Sequence, residues 1–461
     1  MKTSYTRVDF LYCIILISTV AAGGSIIFAL LGEEEFLPAM AEYDALFPGA
    51  GLGIGLSPLA ALLLVWRTWL VWRYRPFPPC SDAALPITTV VIPAYNEGRH
   101  VLDTIRSVMA SRFPAEKMQV LCVDDGSKDD TWQWMLAGAA EFPRRLRLLR
   151  QPRNMGKRHA LLAGLRVATG SAFVTIDSDS LIGPDTLRHL VSPLARSATV
   201  GAVAGNVRVQ NIEDGPIPKM LDVNFTMTFD FLRRGQSVYG GVLCTPGALS
   251  AYRLEAIAPE IESWSAQTFM GRPANIGEDR ALSNIVLARG FDVVFQKDAV
   301  VLTTIPSDYS GLYRMFLRWA RSNVRECLVM ALFLGRRFRP GRSGAGWVRL
   351  SGLLELLFLP VAEVLKAVCL LGIFLHPMTS VRVLAAGCLA TAVIPAIVFQ
   401  FRQRGLFGVV WALAYSFFWT VALSWISLWG LFSAARSGWL TRGLRSGQPA
   451  PAALEETADA A

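Results

Sequence analysis

Two carboxylates one residue apart, Asp177 and Asp179, follow the apolar run Phe173-Val174-Thr175-Ile176. So placed, they can hold a hard divalent cation, which in turn neutralises a diphosphate leaving group. Acidic surface turns are common, so the pair counts only in company. Upstream, one β-rich run ends in Pro93-Ala94-Tyr95-Asn96-Glu97 and another in Val123-Asp124-Asp125-Gly126-Ser127. An aromatic ring and carboxylates at neighbouring strand ends, here Tyr95, Glu97 and Asp125, can grip a nucleoside by stacking and by accepting its hydrogen bonds. The plainer reading of Asp-Gly-Ser is a turn. Asn154-Met155-Gly156-Lys157-Arg158-His159 opens a helix; glycine admits a phosphate to the backbone, and Lys157 adds charge to the helix N-terminus. A surface turn with solvated cations is the competing reading.

Further along, Gly277-Glu278-Asp279-Arg280 supplies more carboxylates. A hydroxyl that attacks as a nucleophile must lose its proton, and Asp279, with Glu278 beside it, is assigned as the base. Ala281 to Ala288 reads helical, so Asp279 as a helix N-cap is the structural alternative. Arg318-Trp319 lies in the basic amphipathic stretch Leu312 to Asn323. Without context this is a membrane-surface helix; in context the guanidinium can clamp a diphosphate and the indole can face an acceptor.

These residues need elements to hold them. Short β-rich runs (Thr88 to Ile92, Gln119 to Val123, Ala172 to Ile176) alternate with helical stretches (His100 to Ser111, Lys157 to Thr169, Pro184 to Leu194). That alternation predicts an α/β domain with a mainly parallel, Rossmann-like sheet and ligands at the carboxyl ends of its strands.

The ends of the chain differ from its middle. Of 461 residues, 52% are hydrophobic, and they concentrate before Arg75 and after Trp347. Phe10 to Leu31 is long enough to cross a bilayer; a cleaved signal peptide competes, but the apolar run continues past Ala21-Ala22-Gly23. A second span runs from about Gly49 to Val71. The loop between them carries Glu33, Glu34, Glu35, Glu42 and Asp44 without Lys or Arg, whereas Arg67, Arg73 and Arg75 come after it. The asymmetry puts the loop outside and the chain beyond Trp72 in the cytosol.

Three more apolar stretches come later: about Trp347 to Leu375, Val381 to Gln400, and Leu406 to Phe432. The first contains Glu355, Glu363 and Lys366, which places part of it along the interface or facing other helices. Five spans leave the tail outside, while Arg436, Arg442 and Arg445 favour the inside; one stretch lying in the interface, or bent into a pair, would reconcile the two.

The resulting divisions are two N-terminal transmembrane helices over 1–75, a cytosolic catalytic domain over 85–310 and amphipathic interface helices over 311–345. C-terminal transmembrane helices over 346–433 and a polar, largely disordered tail over 434–461 complete the chain. The net charge of +9 is accounted for by cations beside apolar segments (Arg336, Arg337, Arg339, Arg342, Arg402 and Arg404 among them) rather than by a nucleic-acid partner. Seven dispersed cysteines, with no CxxC spacing, support neither a disulfide framework nor a zinc site.

Taken together, DDGS, GKRHA, DSD, GEDR and RWARS resemble the processive family 2 glycosyltransferases, especially hyaluronan synthases and nodulation-type chito-oligosaccharide (N-acetylglucosaminyl) synthases. Gly205-Asn206-Val207-Arg208, Leu243 to Arg253, Gln267 to Pro273 and Gly438-Trp439-Leu440-Thr441-Arg442 extend the likeness from about Pro86 to Arg442. The resemblance implies a GT-A fold embedded between transmembrane helices, a UDP-sugar donor, Mg²⁺ or Mn²⁺, inversion to a β-linkage, and extrusion of a growing glycan through the lipid bilayer of the cell membrane. It further implies that Tyr95, Glu97 and Asp125 hold uridine and Lys157 meets UDP. Asp177 and Asp179 would handle nucleotide and metal, Asp279 would be the base, and Arg318-Trp319 would belong to a Gln-x-x-Arg-Trp motif.

The chain departs from that pattern at Met315, where the glutamine belongs, and at Thr245-Pro246-Gly247-Ala248, where Ser-Gly-Pro-Leu is usual. The sequence therefore predicts a polymerising synthase with a GlcNAc-containing product, hyaluronan-like or chitin-like. A transferase adding one sugar to a lipid carrier, a synthase of another β-glucan, a catalytically impaired homologue and a transporter whose cytosolic domain merely binds nucleotide are the alternatives.

Overall fold

The computed structural model describes residues 7–15, 17, 50–336, 338–339, 344–375, 377–403 and 407–436. Most of the first predicted span, the acidic loop after it, Arg337, Arg342, Arg404, and the tail with Trp439 and Arg442 lie outside the described residues.

Ten strands organise the centre: β1 (Thr88–Ala94), β2 (Met118–Asp124), β3 (Leu146–Arg150), β4 (Ala172–Ile176), β5 (Ser180–Ile182), β6 (Val200–Val209), β7 (Leu249–Arg253), β8 (Thr268–Phe269), β9 (Arg272–Pro273) and β10 (Asp292–Thr303). Eight form one sheet in the order β3-β2-β1-β4-β7-β6-β10-β5, and β8 and β9 form a separate hairpin. Pairing is parallel between β3, β2, β1 and β4 and between β6 and β10. It is antiparallel where β7 lies between β4 and β6, and where β5 edges β10.

Burial on both faces explains the nearly unbroken apolar strands. Successive residues alternate sides: Val90, Ile92 and Val174 enter one core, and Val91, Leu121 and Phe173 the other. Register then fixes the site. Ala94 stands opposite Asp124, and Val91 opposite Thr175, so β1, β2 and β4 end at one edge. Antiparallel β7 starts at that edge, with Leu249 opposite Ile176.

Helices of 24, 31 and 27 residues, Ala50–Arg73, Ala345–Leu375 and Pro377–Gln403, lie to either side of the sheet-forming sequence. A further helix, Gly408–Phe432, is the one among the described residues long and apolar enough to cross a membrane. Large apolar side chains stand exposed on these elements, including Trp72, Leu357, Phe374, Met378, Leu389 and Phe417. The predicted amphipathic segment is one 26-residue helix, Tyr309–Leu334, the Arg318 helix.

Candidate active site

The carboxyl edge of the sheet opens into a pocket of about 420 Å³ lined by Tyr95, Glu97, Asp125, Lys157, Asp177 and Asp179, together with Met315 and Arg318 of the Arg318 helix. Seven of the residues singled out from sequence as nucleotide, metal or diphosphate groups thus share one pocket. His100, Asn154 and the Thr304-Ile305-Pro306 turn complete part of the wall; the turn follows β10, and only knowing that β10 is central would have singled it out.

Asp125 is buried, and both of its oxygens are engaged: Met155 N–H donates to Oδ1 and Gly156 N–H to Oδ2, each at 2.8 Å. Burial pushes this carboxyl up to about 7 against the pull of those two amides. Asp125 therefore braces the turn that launches the Lys157 helix (Lys157–Arg166) while lining the pocket. The same turn packs on Gly126, whose φ is +71° and where a Cβ would collide with the Arg153 backbone. Gly126→Ala should cost about 2 kcal/mol or more in stability, from backbone strain and collision. Chemical denaturation checks the stability.

Lys157 reaches two carboxylates. Its Nζ donates to Asp177 Oδ1 and lies 3.0 Å from Glu278 Oε1. Burial alone would depress the ammonium, but these anions outweigh it and hold Lys157 charged. Glu278 and Asp279 then split. Burial would raise Glu278, yet the Lys157 charge, its own backbone amide and Arg318 hold it below the usual carboxylate range. Asp279 is pushed up to about 6 by burial and by the neighbouring Glu278 anion. One acid kept ionised beside another titrating near neutrality is how paired carboxylates acquire separate roles.

Asp279 is not an N-cap. The helix starts at Glu278, and its cap is Gly277 at φ +70°, a conformation natural to glycine. Asp279 sits in the first turn, with Oδ1 accepting from Arg280 N–H at 2.8 Å and Oδ2 from Gly247 N–H at 3.1 Å. Gly247 comes from the Thr245-Pro246-Gly247-Ala248 departure. Thr245 fastens that segment to the Asp279 helix through Ser283, its N–H donating to Ser283 Oγ at 2.9 Å, and its hydroxyl also meets Tyr252 Oη at 2.7 Å.

Arg318 and Met315, three apart, share the pocket face of their helix. Trp319 does not line that pocket. One residue on, it is turned by about 100°, and its ring packs among Phe316, Phe225 and Phe229 at centroid distances of 5.4, 6.3 and 6.3 Å. Phe225 and Phe229 belong to the stretch around a π-helical segment, Thr226–Phe231, that widens one turn of its helix beneath Trp319. Trp319 is half-buried, with part of its ring held by this aromatic cluster.

Among the described residues no cluster of three or more His, Cys, Asp or Glu side chains forms a metal cage. Asp177 and Asp179 present two hard-oxygen groups to the pocket, a set that fits a divalent cation completed by substrate oxygens.

A second cavity, of about 390 Å³, is lined by Trp66, Arg67, Tyr239, Asn323, Glu355 and Ser427, among others. Arg280, next to Asp279, donates to Asn323 and pairs with Glu355, both in the wall of this cavity.

Comparison with known proteins adds to this geometry. Residues 86–322 match the family model described as Glycosyltransferase like family 2. The chain is 32% identical over 293 residues to the N-acetylglucosaminyltransferase of Rhizobium meliloti (strain 1021), covering 62% of this chain and 68% of that protein. It is 31% identical over 284 residues to the N-acetylglucosaminyltransferase of Mesorhizobium japonicum, covering 60% and 66%. Among solved structures it is similar in fold to the mannosyltransferase PcManGT from Pyrobaculum calidifontis in complex with GDP-Man and Mn²⁺, with a TM-score of 0.52, 23% identity, and coverage of 82% of this chain and 97% of that one.

Proposed function

The chain belongs to glycosyltransferase family 2, and on that premise we propose that it transfers N-acetylglucosamine from UDP-GlcNAc, with inversion, onto a growing β-linked glycan and passes that glycan across the cell membrane. Its helices would make it a multi-pass protein with the catalytic domain on the cytosolic face. The observation that carries the proposal is the meeting of nucleotide-type, cation-type and base-type side chains at one edge of the sheet. The relatives matched are N-acetylglucosaminyltransferases, which points to the sugar; the exposed apolar side chains along several long helices point to the membrane.

In this reading Tyr95, Glu97 and Asp125 grip uridine, while Lys157 and Arg318 face the diphosphate. Asp177 and Asp179 would hold Mg²⁺ or Mn²⁺, which supplies charge neutralisation to the departing UDP. Asp279 takes the proton of the acceptor hydroxyl as that oxygen bonds to the anomeric carbon and the carbon–phosphate-oxygen bond breaks, the electron pair leaving with UDP. Glu278, kept ionised by Lys157, raises the basicity of Asp279. The cavity beyond Arg280, with polar groups from several helices, is the route assigned to the product.

Inside-out membrane vesicles given labelled UDP-GlcNAc, alone or with UDP-glucuronic acid, test this. The expected result is UDP release and a product of several sugars, sealed in the lumen and degraded by a linkage-specific β-hydrolase. No UDP release with any common UDP-sugar and either cation refutes the enzyme reading. Met315 in the pocket favours a second reading, single addition to a lipid carrier; a short, lipid-extractable product would establish it instead.

A further inference from the structure

Behind the pocket, and lining neither cavity, lies a buried polar network that the chemistry above does not use. Its centre is Glu326, fully buried on the Arg318 helix. Its Oε1 accepts from Gln267 Nε2 at 3.1 Å and from Arg325 Nε at 2.8 Å, and its Oε2 accepts from Asn284 Nδ2 at 3.1 Å. Gln267 in turn accepts from Arg158 Nη1 at 2.8 Å, and Arg158 is the residue after Lys157. Arg325 donates to the carbonyl of Ile276, two residues before Glu278. Asn284 belongs to the Asp279 helix and also donates to the Glu326 backbone carbonyl at 2.9 Å.

One carboxylate thus ties together the three helices that carry Lys157, Asp279 and Arg318. All five side chains are at least nine-tenths buried. Buried ion pairs add little net stability, since apolar replacements of similar volume are often neutral or better, so a network of this kind is better explained by the geometry it fixes. We infer that Glu326 is a positioning residue: through Gln267–Arg158 on one side and Asn284 and Arg325–Ile276 on the other, it sets the spacing between Lys157 and the Glu278-Asp279 turn. The inference rests on the transferase reading of that site.

The test uses full-length protein and measures kcat and KM per folded molecule, with folded protein counted by UDP binding. Gln267→Met removes the neutral link between Arg158 and Glu326 without leaving a charge unpaired. Arg325→Met combined with Glu326→Leu replaces the ion pair by apolar bulk, which keeps the inference testable if Gln267→Met is unstable. A misplacement of about 1 Å is enough for a hundredfold loss of rate. The expected result for both is kcat down about 100-fold, with KM for the UDP-sugar and UDP affinity within about threefold. Folded variants turning over at the wild-type rate overturn the inference, as does a loss confined to the amount of folded protein. Wild type inert toward UDP-GlcNAc but active on another UDP-sugar would refute only the donor assignment, and the comparison would use that donor; wild type inert toward all of them removes both readings.

Discussion

Asp279→Asn should reduce turnover by about 10³-fold or more while leaving UDP binding within about twofold of wild type. A positioned general base contributes roughly 10²–10⁴ in rate, and the adjacent carboxylate, Glu278, is committed to Lys157 at 3.0 Å. Asparagine keeps the shape and can still accept from Gly247 N–H through its amide oxygen, so the turn should persist. Isothermal titration with UDP and a UDP-release assay measure the two effects separately; lost UDP binding would remove Asp279 from the role of base. The same assignment fixes a pH dependence. The base works unprotonated, and burial together with the Glu278 anion pushes it up to about 6. The wild-type kcat should therefore fall as pH drops through about 6 and level off above it. A kcat flat from pH 5 to 8 would contradict the assignment.

Lys157→Met should be the most damaging single change to the pocket. It leaves Asp177 and Glu278 facing each other without the cation that joins them. The lysine and glutamate side chains are only 13% and 8% exposed, and breaking a buried pair from one side costs about 3–5 kcal/mol. Asp177 is 33% exposed, so solvent screens part of its share and about 3 kcal/mol is expected in denaturant unfolding. UDP affinity should fall at least tenfold. Stability should also respond to pH with a definite sign. Without Lys157 the folded-state pKa of Glu278 rises above its unfolded value, so the folded state binds the proton more tightly. The variant should regain stability as pH falls from 7 toward 4, whereas a variant equally unstable across that window would show that Lys157 does not hold these acids.

Much of the pocket could be read from the chain. A carboxylate pair after a wholly apolar strand, a glycine before a helix that begins with lysine, and the order in which these recur all survive into the structure, because each is local. What could not be read depends on pairing across distance. Nothing in sequence says that Lys157 will meet Glu278, or that Gly247 will bond Asp279. The second contact requires β7 to run antiparallel between β4 and β6 and deliver its starting turn to the edge where the parallel strands end. On a helix neighbours in sequence point apart, and Met315, three residues away, is the one that joins Arg318 in lining the pocket. The N-cap went to Gly277 for a related reason: the tight turn pressed against Ser322 needs a left-handed residue, and glycine adopts that conformation without penalty.

The helix that carries Arg318 has no slack between it and the membrane-length helix. Tyr309 Oη donates to the Ala422 carbonyl at 2.7 Å, Tyr313 stacks on Trp425 at 5.3 Å, and Arg321 Nε donates to Ser433 Oγ at 2.9 Å. A Cβ at Gly430 would come within 2.5 Å of that of Ala320. The two rods are therefore bolted together at several points along their length. Bending or tilting one of them must carry the Arg318 guanidinium with it, so the reach of that side chain into the pocket is governed by a second helix that never touches the pocket itself.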